Sequence, residues 1–114
     1  MDEDAYRKAA QQARDRANEL TKQAEDLRRV ESADVAALEG EIGHHPDQAD
    51  YWRQQASQRQ QEIDSQADDL LRKAGDHQRE AEEYDRKAAA AHEEEERRKD
   101  RLKRNIIGRI ISGR

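Results

Sequence analysis

The chain contains no cysteine and no phenylalanine, a single proline, a single tryptophan and five glycines among 114 residues. Without cysteine there is no disulfide scaffold, no thiol nucleophile and no thiolate metal site. With aromatics at 4% and hydrophobic residues at 32%, the composition does not supply a wide globular core. No apolar run approaches the roughly 18 residues that suggest a membrane span. The opening stretch MDEDAYRKAA is acidic and lacks the apolar region of a secretory signal, so synthesis in the cytoplasm without Sec-type targeting is expected. What remains is rich in Ala, Glu, Asp, Arg, Lys, Gln and Leu, the composition of long helices and coiled coils. A mean hydropathy of -1.47 and 43% charged residues also describe disordered chains, and periodicity decides between the two.

Apolar residues at Tyr6, Ala10, Ala13, Ala17, Leu20, Ala24 and Leu27 step by four and three in alternation, the heptad seam of a packed helix. A disordered chain has no reason to keep that spacing. The seam then shifts through Val30 or Glu31 to Val35, Leu38 and Ile42, either as a four-residue stutter or at a break capped by Ser32. IGHHPDQ follows: Gly43 suits a left-handed helix C-cap, Pro46 the first turn of a new helix and Asp47 its positive end. A second seam runs through Ala49, Trp52, Ala56, Arg59, Ile63, Ala67, Leu70, Ala74, His77, Ala81, Tyr84, Ala88 and Ala91.

The two seams match each other. In an antiparallel hairpin turning near residue 45, facing residues have numbers summing to about 90. Leu38 with Trp52, Leu27 with Ile63, Leu20 with Leu70, Ala13 with His77 and Tyr6 with Tyr84 all do so. Between them lie alanine layers: Ala24 with Ala67, Ala17 with Ala74 and Ala10 with Ala81. Large residues meet large and small meet small, so the helices interlock closely. The expected fold is all-α: an antiparallel two-helix hairpin over 1–86 (helix about 4–42, turn 43–46, helix from 47), a projecting charged helix over 87–104 and an amphipathic tail over 105–114.

Within this frame Tyr6, Leu20, Leu27, Leu38, Trp52, Ile63, Leu70, His77 and Tyr84 read as hairpin core. Trp52 plugs the turn-proximal end, and His77 is a packing residue, because no Glu-x-x-His or His-Glu-x-x-His spacing accompanies it. His44, His45 and Asp47 read as polar turn residues rather than metal ligands. No nucleophile has a base and an orienting group beside it, and no glycine-rich phosphate loop is present. The expectation is a non-enzymatic protein without a cofactor.

Charge and apolar content are both uneven toward the end of the chain. From Arg97 to Arg114 eight basic residues face the single acid Asp100, a net +7, so with a total of -5 the preceding residues carry -12. Glu93 with Arg97, Glu94 with Arg98, Glu95 with Lys99 and Asp100 with Arg104 are acid-to-base pairs at i,i+4, each contributing about 0.2 to 0.5 kcal/mol to a helix standing alone. Beyond this spacer four of the six isoleucines fall in the last nine positions. Leu102, Ile106, Ile107, Ile110 and Ile111 share a face, Asn105, Gly108, Arg109 and Ser112 lie on the opposite side, and Lys103, Arg104 and Arg109 are the basic candidates for binding beside the isoleucines. Burying four isoleucines is worth roughly 6 to 12 kcal/mol gross, and the first helix does not reach them. A helical protein partner or a second copy is the first expectation for what covers this face. An anionic membrane surface is the second, and nucleic acid a distant third, because the tail has no interleaved aromatics.

A cysteine-free, acidic helical hairpin of about one hundred residues with one tryptophan near its turn resembles the small partner proteins of type VII secretion, namely the WXG100 group and the α-helical proteins that accompany LXG toxins. The resemblance is one of architecture. Trp52 is followed by Arg53 and Gln54 instead of the group's Trp-x-Gly, and Tyr84 is followed four residues later by Ala88 instead of Asp or Glu. The resemblance implies a chaperone-like role beside a larger secreted toxin or effector, with export by a non-Sec route together with that partner.

Overall fold

The computed structural model describes residues 2–112, with side chains to residue 110. The fold is all-α, an antiparallel two-helix hairpin in which the second helix continues past the start of the first. Helix α1 spans Glu3–His44 and α2 spans Ala49–Ser112, joined through His45 and a short 3-10 turn at Pro46–Gln48. Asp2 caps α1: the Ala5 N–H donates to its Oδ1 at 2.9 Å, which satisfies one of the orphan amides of the first turn. The chain divides into two compact units, Asp15–Gln78 around the turn and a second formed by 1–14 with 79–114.

In the turn-proximal unit the fully covered positions are chiefly the small ones. Ala17, Ala24, Ala67 and Ala74 are buried, while Leu20, Leu27, Leu38, Trp52, Leu70 and His77 are half-buried and only Ile63 and Val35 among the larger seam residues are covered, at 1% and 8% exposure. This follows from the alanine layers: where two alanines meet the backbones approach closely, and larger residues between them are squeezed toward the flanks. Val35, Ala56 and Ile63 form the one larger apolar cluster, with Leu38 against it. Arg28 reaches from α1 to Asp68 at 3.2 Å and Asp64 at 3.9 Å on α2.

In the other unit Ala10, Ala13, Ala81 and Ala88 are buried, and Tyr6 and Tyr84 pack ring against ring. Arg14 donates to Asp85 at 2.7 Å. Near the start of α1, Glu3 accepts from Arg7 at 2.8 Å and lies 3.1 Å from His92 Nδ1. The hydrogen bond from Arg7 first, then that with His92, hold the Glu3 carboxyl below the ordinary glutamate value.

Two open alternatives are decided and two expectations are corrected. First, α1 does not break at Ser32, whose hydroxyl donates to the Arg29 carbonyl at 2.8 Å within an unbroken helix. Second, the seam shifts through Glu31 and not Val30, which is 64% exposed. The charge is required there because the facing seam position is Arg59, and Arg59 donates to Glu31. Third, Gly43 does not take a left-handed conformation, since no glycine among the described residues has positive φ. The helix passes through it to His44, the His45 N–H donates to Glu41 O at 2.9 Å, and the Gln48 N–H then turns back to His45 O at 2.9 Å. The bend is made at His45, two residues after Gly43, and Pro46 then opens the 3-10 turn. Fourth, pairing does not end at Arg86: Ala88 is fully buried, Ala91 half-buried, and His92 meets Glu3. Alanines at 88 and 91 let the last turn of contact close before the glutamates begin.

Candidate interaction surface

Asp2, Glu3 and Asp4 still border Ala91, Glu94, Glu95 and Arg98, and beyond His92 the second helix is sustained chiefly by its own sequence. Glu93 pairs with Arg97 at 3.8 Å, and Lys99 with Glu95 at 3.9 Å and Glu96 at 3.6 Å. Acid precedes base in each pair, the orientation that suits the helix dipole. The spacer is exposed on every side.

After the spacer the apolar stripe returns. Leu102, Ile106, Ile107 and Ile110 lie on α2 with 55%, 55%, 56% and 71% of their surface in water. At about 100° per residue, Leu102 and Ile106 continue the stripe that Ala88 and Ala91 use against α1. Ile110 and Ile107 broaden it into a face. Arg104 falls at one border and Arg109 at the other instead of on the expected opposite side, Lys103 lies within the face, and Asn105 and Gly108 are on the opposite side. Lys103, Arg104 and Arg109 are all exposed, and no acid occurs after Asp100. The expected contribution of Ile111 lies outside the residues whose side chains are described. The structure therefore brings together on one exposed face the Leu102, Ile106, Ile107 and Ile110 that the sequence singled out.

A second surface was not anticipated. Near the turn a groove of about 670 Å³ is lined by Asp34, Ala37, Leu38, Glu41, His45, Trp52 and Arg59. Trp52 stacks on His45 at 6.2 Å between centroids and meets the edge of Tyr51 at 5.1 Å. Its Nε1 is buried with no acceptor among the described residues. Arg59 organises one wall, donating to Glu31, to Glu62 at 3.1 Å and to Asp34 at 3.3 Å. Glu62 foremost, then Glu31 and Asp34, push its guanidinium still higher than the ordinary arginine value. Tyr51 and Val30 are the other large apolar residues left exposed in this unit besides Leu71. The signal in the sequence was Arg59 itself: a cation on an apolar seam requires carboxylates opposite it.

Among the described residues no group of three or more His, Asp or Glu side chains is placed to hold a metal ion, and no helix is long and apolar enough to cross a membrane. No family model, curated protein or solved structure matches this chain.

Proposed function

We propose that the protein is a non-enzymatic helical interaction protein that docks on a helical partner through its C-terminal face. One observation carries this reading: the stripe by which α2 packs on α1 reappears beyond the start of α1 as Leu102, Ile106 and Ile110, all exposed. A helix laid where α1 would have continued meets the same spacing of apolar residues that α1 meets. The resemblance to type VII partner proteins adds that the partner is a larger secreted toxin or effector, carried out of the cell by a non-Sec route together with this chain.

A second reading rests on the basic borders. An aliphatic face edged by Arg104 and Arg109, with no acid after Asp100, also suits an anionic lipid surface, where each basic residue adds about 1 kcal/mol.

The test is purification from the native host of the wild-type chain and an Ile106→Ser/Ile110→Ser variant. The expected result is a helical protein co-purifying in fixed ratio with wild type and absent from the variant, whose circular dichroism is unchanged. Wild type that floats with anionic vesicles and brings no protein would transfer the face to the membrane reading.

A further inference from the structure

The C-terminal face and the turn-proximal groove have opposite patterns. The tail is apolar at its centre and basic at its borders. From residue 30 to residue 52 the chain carries six acids (Glu31, Asp34, Glu39, Glu41, Asp47, Asp50) and no Lys or Arg. Arg59 takes up Glu31 and Asp34, and Arg53 takes up Asp50 at 3.3 Å. Glu41, on the groove, meets His45 at 3.5 Å, Asp47 in the turn beyond it is exposed, and Glu39 lines the opposite flank with Val35, Ile42 and Arg53. Beside Glu41 the groove is lined by Ala37, Leu38 and Trp52, and its volume of about 670 Å³ admits branched aliphatic side chains.

We propose that the acidic turn end of a second copy of this chain occupies the C-terminal face. The inference rests on the reading of that face as a protein-docking surface and names its occupant. Ile106 and Ile110 of one copy enter the groove over Leu38 and Trp52 of the other, and Arg104 and Arg109 lie against Glu41 and Asp47. Pairing of two tails with each other is disfavoured by charge: the antiparallel register that sets Ile106 level with its own counterpart also sets Lys103 level with Arg109, and both tails are strongly basic. The contact joins different surfaces of the two copies, so it closes into a pair where a two-fold axis allows and otherwise extends into chains.

Trp52 is the sole tryptophan and lies in the groove, so its emission reports the docking directly. The experiment follows the emission and solution mass of the purified full chain against protein concentration and NaCl. The expected result is a shift of emission to shorter wavelength as the mass rises above monomer, with both reversed by high salt. Glu41→Lys/Asp47→Lys and Arg104→Glu/Arg109→Glu each weaken self-association by about tenfold or more, and mixing the two variants restores it, because the reversed tail then meets the reversed groove. Association that leaves Trp52 emission and the Glu41/Asp47 variant unaffected overturns this inference while leaving the tail a docking surface. A mass that stays monomeric at every concentration also overturns it and leaves the partner of the tail to be another helical protein. Association that survives Ile106→Ser/Ile110→Ser overturns both readings, and so does binding of the monomer to vesicles of anionic lipid with no protein contact.

Discussion

Tyr6 of α1 and Tyr84 of α2 hold their rings 6.4 Å apart between centroids, tilted by 34°, and this contact fixes the register of the two helices near the first turn of α1. Lys87 adds a cation 5.6 Å from the Tyr84 ring. A tilted aromatic pair at this distance carries about 0.5 to 1.5 kcal/mol beyond the area it covers. A double-mutant cycle with Tyr6→Ala and Tyr84→Ala, read by urea unfolding, is expected to return a coupling energy in that range. Additive single effects would mean that the rings do not interact.

The alanine layers make a separate prediction. Ala17 is fully buried, with Ala74 facing it, so Ala17→Leu overfills a layer that has no room and is expected to cost about 1 to 3 kcal/mol. Ala33 is exposed on the same helix, and Ala33→Leu is expected to stay within about 0.5 kcal/mol. Thermal unfolding of the two variants side by side checks the contrast.

Arg59 bridges Glu31, Asp34 and Glu62, and its loss leaves three carboxylates close together without a cation. Arg59→Gln is expected to lower the melting temperature at neutral pH and to have little effect at pH values where the carboxyls are protonated. A loss of equal size at both pH values would show that Arg59 acts by packing of its aliphatic stem and not by charge.

Glu3 gives a pH dependence of known sign. Its folded pKa is depressed, chiefly by the hydrogen bond from Arg7 and next by that with His92. The stabilisation it contributes is therefore present above the unfolded glutamate value of about 4.3 and lost as pH falls through the lower folded value. Amide exchange in the first turns of α1 is expected to accelerate across that window in wild type. Glu3→Gln is expected to show the faster exchange already at neutral pH and little further change on acidification.

Much of the hairpin is legible in the sequence, because two long helices with one interface express nearly all of their packing as linear spacing. Every residue of the second seam, from Ala49 to Ala91, is buried or half-buried. Where the reading was open or went astray, a polar group or the turn itself did the structural work. Glu31 displaced Val30 from the seam because Arg59 stands opposite, and the interface reached His92 because Glu3 extends far enough to meet it. Gly43 remained helical because the turn is made by His45 and the 3-10 residues after it, and a glycine allows a left-handed C-cap without enforcing one. The exposed face at Leu102 to Ile110 was visible as aliphatic residues beyond the reach of α1. The groove at Trp52 was not, because it is assembled from both helices and its acidic rim is spread over Asp34 and Glu41, each of which reads alone as an ordinary solvated carboxylate.

The central claim, that the C-terminal face is a protein-docking surface whose default occupant is another copy, is tested most directly by solution mass. Light scattering at graded concentrations compares the full 13.3 kDa chain with one ending at Arg104. The account predicts that the full chain rises above monomer mass with concentration while the shortened chain stays monomeric. Equal masses for the two chains at every concentration would contradict it.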